Sequence, residues 1–160
     1  MRYLLLLFSI CFTLVIACKT KEVISTNAFL NYTVVSAGVG SQGTALLKAW
    51  GQGGSKVEAL EDAKKKALHA LIFSGIPNSP DMRPLIPTPG AEQNHRKYFS
   101  SFFSKNGKYQ KFASITAGSW DEVDRISTGE GVKYGVVVVV KRDLLIQELE
   151  SAGVANKFGI

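Results

Sequence analysis

The chain has 160 residues, 19 Lys and Arg against 13 Asp and Glu, a formal charge of +6, and 46% hydrophobic residues. That length suits one domain, and the hydrophobic share is enough for a buried core. The basic balance fits anionic partners such as lipid headgroups, acidic glycans or nucleic acid, and two cysteines exclude a disulfide-rich scaffold.

In chain order, the first feature is an address. Arg2 is followed by an uncharged run from Tyr3 to Ala17, which ends at Cys18. A charged start and an apolar stretch of that size make a secretory signal, and the stretch is short for a membrane-spanning helix. Val15, Ile16 and small Ala17 directly before Cys18 resemble the lipobox of bacterial lipoproteins. The resemblance implies cleavage after residue 17, lipidation of Cys18 and a tether over residues 18–31. Loss of Arg2 then lowers the charge to +5, and loss of Cys11 leaves the mature chain with no second thiol. Lys19 stands where inner-membrane lipoproteins of enteric bacteria carry aspartate, which points to the outer membrane. An exported chain meets little nucleic acid, so that partner is set aside.

Residues 32–160 read as a single domain. Gly38-Val39-Gly40-Ser41-Gln42-Gly43 matches G-x-G-x-x-G, and Glu58 lies 20 residues after Gly38. A dinucleotide site needs a helix beginning at the last glycine, with its amides turned to the pyrophosphate. Here Thr44 to Gly51 reads as a strand, so the motif is expected to be a bend or bulge. Ser55-Lys56-Val57-Glu58 is a capping box, with the glutamate reaching back to the N-cap amide. It opens a helix over Lys56 to Phe73, with Val57, Leu60, Ala63, Ala67, Ala70 and Leu71 at helical spacing. Gly75 and Pro77 end it. All five prolines fall between Pro77 and Pro89, so residues 76–90 read as a long irregular loop.

A second helix is expected over Ala91 to Ser104, with Tyr98, Phe99, Phe102 and Phe103 on its apolar side. Lys111 to Ala117 reads equally as strand or helix extension. Glu122 to Ser127 reads as a strand, residues 129–131 as a turn, and Val132 to Lys141 as the strongest strand. Its five consecutive valines, Val136 to Val140, imply a central strand buried on both faces. Asp143 is the expected cap of a last helix over Leu144 to Ser151, with Leu145 and Leu149 facing inward and Gly153 after it. The expected fold class is α+β: a two-layer sandwich of a small, mostly antiparallel sheet packed by helices, in the order strand, helix, insert, hairpin, helix.

The stretch Glu58 to Leu68, the valine strand, Arg142-Asp143-Leu144-Leu145 and Leu149 to Val154 are similar to the LPP20-like lipoproteins and the N-terminal domain of T-ring flagellar assembly proteins. That resemblance implies a non-enzymatic structural or assembly part of the cell envelope. No G-x-S-x-G, H-E-x-x-H or phosphate-loop lysine occurs, and no cofactor or metal is expected. His69 and His95 are the only histidines and lie 26 residues apart. Asp121, Glu122 and Asp124 beside Trp120 form a small acidic cluster. They read as a solvated turn, or as acid–base groups if a pocket joined them to His95.

The other candidate surface is basic and aromatic. Arg96, Tyr98, Phe102, Lys105, Lys108 and Tyr109 carry it. On one reading, the rings fill the core and the cations face water. On the other, they bind an anionic glycan such as peptidoglycan by stacking and charge.

Overall fold

The computed structural model describes residues 34–41, 43–79, 83–116, 124–129 and 131–155. The leader, Cys18 and the tether lie outside these residues, as do Trp120, Asp121 and Glu122. Five strands form one sheet: β1 (Val34–Val39), β2 (Ala45–Gly53), β3 (Ala113–Ile115), β4 (Arg125–Thr128) and β5 (Gly131–Val140). Every pairing is antiparallel. The order is β1-β2-β5-β3, with β4 also on β5, beside its other end. The fold is an α+β sandwich, with the helices on one face of the sheet.

Register decides which side chains meet those helices. In β2 and β5, Ala45, Leu47, Ala49 and Gly51 pair with Val140, Val138, Val136 and Tyr134. All eight are buried. The alternate residues point the other way, and Val137 and Val139 are only half-buried. The valine run is therefore central but buried on one face, because the helical layer covers only one side.

The helix α1 (Lys56–His69) lies across β2 and β5. It sits close because Gly51 has no side chain: a Cβ there would collide with the Ala59 carbonyl and the Ala63 amide. The buried edge is Ala59, Ala63, Ala67 and Leu68, while Val57, expected on that stripe, is 70% exposed. It stands in the first turn, opposite the edge that faces the sheet. Ser55 Oγ accepts the Glu58 amide at 3.3 Å, as a capping box requires. The Glu58 carboxylate accepts from Gly54, one residue before the expected N-cap amide.

The last turn, Ala70–Ser74, is π-helical and ends at Gly75, with φ of 72°. Widening that turn leaves carbonyls for the proline-rich loop: the Leu85 amide donates to the Leu71 carbonyl at 3.0 Å and the Ile86 amide to the Ile72 carbonyl at 2.8 Å. Leu85 and Ile86 are buried, so the described end of the loop is part of the core.

The expected second helix is broken at His95 into α2 (Ala91–Asn94) and α3 (Arg96–Phe102). A 3-10 turn, Lys108–Lys111, then leads into β3, which resolves the ambiguity after Lys111 in favour of a short strand. The last helix, α4 (Arg142–Ser151), begins after Lys141; Asp143 lies in its first turn and makes no capping bond. Instead its amide donates to the Gly43 carbonyl at 3.2 Å, tying α4 to the β1–β2 connection. Leu145 and Leu149 are buried, as expected.

The glycine-rich motif is bulge and turn. The β1–β2 register shifts between Ser36 and Gly38, and Thr44 donates its amide to Ser41 at 2.9 Å. No helix starts at Gly43, so its amides make no phosphate cradle.

Candidate functional site

The basic-aromatic segment folds into the helical layer. Phe102 and Phe103 meet edge to face at 4.9 Å, Phe73 and Phe99 at 4.9 Å, and Phe102 stacks on Phe112 at 5.9 Å. Such offset and edge contacts suit the ring quadrupoles and bury large apolar area. Phe102 is 2% and Tyr109 1% exposed. Of the two arrangements the sequence left open, the described residues adopt the one in which these rings fill the core.

The polar ends of this cluster are bound internally. Tyr98 Oη donates to Glu148 of α4 at 3.2 Å, and Lys108 Nζ donates to the same carboxylate oxygen at 2.6 Å. One carboxylate therefore joins α3, the 3-10 turn and α4. Burial, then the Glu148 charge, push the Tyr98 phenol well above its ordinary value. Tyr109 Oη donates to Glu61 of α1 at 2.6 Å, and Lys65 Nζ lies 5.2 Å from the Tyr109 ring centre. Burial, then that hydrogen bond, push the Tyr109 phenol up to about 12. Burial raises the Glu61 carboxyl, but hydrogen bonds from Lys64 and Tyr109 outweigh it, and the net position is below 4.5. Arg96 and Lys105 are exposed. Thus Phe102 and Tyr109 are core, Tyr98 and Lys108 are cross-links, and two cations face water.

The remaining titratable groups are dispersed. His69 is buried, with Nε2 3.2 Å from the Glu92 carboxylate. His95 sits at the α2–α3 break in the helical layer. Asp124 is bound to Lys48 at 3.0 Å. Lys48 belongs to the face of β2 turned away from the helices, so Asp124 and His95 are held on opposite sides of the sheet. Among the described residues no group of three or more His, Cys, Asp or Glu could hold a metal ion.

A different surface emerges on the outer face of the sheet. Register places Val35, Leu46, Trp50, Ile126, Val137 and Val139 on it together. Val35 and Ile126 are 42% and 48% exposed, and the other four are half-buried. No described helix covers them. Trp50 pairs with Gly135, where a Cβ would lie 2.8 Å from the indole ring carbons. The glycine lets the ring lie flat against β5. Lys133 Nζ stands 5.8 Å from the centre of that ring. Sequence reasoning missed this group because Ala45 to Trp50 and Val136 to Val140 are nearly continuous apolar runs. The signal was present as Lys48, Trp50 and Lys133, amphipathic side chains at alternate positions of two strands.

No protein-family model matches the chain. Searches of the curated proteins and of the solved structures likewise return no match.

Proposed function

We propose that this chain is a membrane-anchored, non-enzymatic lipoprotein, a structural or assembly component of the bacterial cell envelope, held at the outer membrane by acyl chains on Cys18. The observation that carries the reading is the position of Cys18 at the end of an uncharged run of fifteen residues, after Val15, Ile16 and Ala17. Acyl chains contribute about 0.8 kcal/mol per buried methylene, so two or three of them make a lasting anchor where one does not. The resemblance to LPP20-like lipoproteins supports the structural role.

The bonding of the domain's carboxylates agrees with it. Glu61, Glu92, Asp124 and Glu148 each bind a lysine, phenol or imidazole that ties one element to another or stiffens a helix. These groups act as cross-links rather than as free acids and bases.

The test is labelling of expressing cells with radioactive palmitate, with the mass of the N-terminal peptide measured in parallel. The expected result is label on the wild type, an acylated Cys18 as first residue, and loss of both in Cys18→Ala. An unlabelled protein that retains residues 1–17 defeats the proposal.

A further inference from the structure

We propose that the outer face of the sheet, centred on Trp50, lies down on the anionic surface of the bilayer that carries the acyl anchor. The inference rests on the anchoring at Cys18 proposed above.

The first argument is chemical. Six apolar side chains on one sheet face stay partly in water, although an antiparallel sheet with helices on one side ordinarily turns polar residues outward. A contiguous apolar patch of this kind marks a contact surface. Its centre is an indole, a side chain that concentrates where hydrocarbon meets headgroups. Among the described residues its charges are Lys48, Lys133 and Asp124, which is bound to Lys48 at 3.0 Å. Lys133 places its ammonium beside the Trp50 ring, and long cationic side chains of this kind reach toward headgroups at a lipid interface. With Lys48 paired to Asp124, the Lys133 ammonium is the charge among these three that complements phosphate.

The second argument is reach. Val34 enters the sheet at the register of Ala49, beside Trp50. Fifteen residues lie between it and Cys18, and the sixteen steps of chain have a contour of at most about 58 Å. An anchor so close to the face makes its contact with the bilayer intramolecular, and weak contacts then suffice.

The third argument is area. Nine paired residues of β2 and β5 and a width of four strands outline a patch of about 30 Å by about 15 Å. That is roughly half of the area per partner, about 800 Å², that a stable complex of two proteins needs. A bilayer needs no such area, because the acyl chains hold the protein in place.

Trp50 is the reporter. Trp120→Phe leaves it as the sole indole of the two in the chain. The acylated full-length protein is reconstituted into vesicles of phosphatidylcholine and phosphatidylglycerol, and then into the same vesicles with brominated acyl chains. The proposal expects the Trp50 emission to shift blue on vesicles and to be quenched by the brominated chains. Lys133→Gln should lower the equilibrium between docked and lifted states about fivefold, as expected for one lysine near an anionic surface. Val137→Glu should abolish quenching, with circular dichroism and vesicle flotation confirming that this variant is folded and anchored. Protein that floats with the vesicles but shows no quenching overturns the docking and leaves the anchor intact. A bare Cys18 by mass overturns the anchor and the docking with it. A dimer in detergent with Trp50 already shifted blue overturns the proposal in favour of a second copy as the occupant.

Discussion

His69 is the residue whose environment has the clearest measurable consequence. It is buried against Phe73 and 3.2 Å from Glu92. Burial disfavours the imidazolium and draws its pKa below 6.5; the Glu92 charge and hydrogen bond oppose this without cancelling it. The unfolded chain then takes up the proton first. Stability from this residue is complete above about pH 6.5 and is lost as pH falls from there through the lower folded value. Glu61 has the same sign in a separate window, below its ordinary 4.5. His69→Gln should therefore flatten the decline in melting temperature between about pH 7 and about pH 5 while leaving the steeper acid limb. Equal slopes for variant and wild type across that interval would contradict the account. At this scale the sequence was a poor guide. Nothing beside His69, Tyr98 or Tyr109 in the chain announces a carboxylate, and only the approach of α2, α4 and α1 supplies Glu92, Glu148 and Glu61 as their partners.

Elements were more legible, because their signals are local. The Ser55 cap, the spacing of Ala63 and Ala67, and the stop at Gly75 define one helical run, and the structure has it from Lys56 to Ser74. The π-helical end was not legible. It exists because Leu85 and Ile86 bond to the Leu71 and Ile72 carbonyls, and those partners lie far along the chain. Asp143 failed as a cap for a related reason: the Gly43 carbonyl takes its amide, so the helix opens one residue before it. The seat of α1 on β2 makes a firm prediction. Gly51→Ala places a methyl against the Ala59 carbonyl and Ala63 amide, and should destabilise the fold by about 1–3 kcal/mol. Denaturant titration checks it. At exposed Gly129, where an added Cβ meets nothing within 4 Å, the same substitution should be near neutral.

At the scale of the whole molecule, β5 organises the domain. It pairs with β2 along nine residues on one side and with β3 and β4 on the other. Its inner face meets the core of α1, Leu145 and Leu149. Opening β5 therefore requires global unfolding, and amides from Val136 to Val140 should exchange most slowly in hydrogen–deuterium measurements. β1, an edge strand with a bulge, should exchange faster. Slower protection in β1 than in β5 would mean that the sheet is built around a different centre.

What the chain determined alone was the kind of most elements and the α+β class, because propensity, capping and hydropathy act between residues a few positions apart. The tertiary structure decided which valines meet helices and which meet solvent, that Phe102 and Tyr109 belong to the core, and that Trp50 lies flat over Gly135 beside Lys133. Those outcomes depend on strand register and on the side of the sheet that the helices cover. Neither is encoded in a run of valines, where every residue is equally suited to either face.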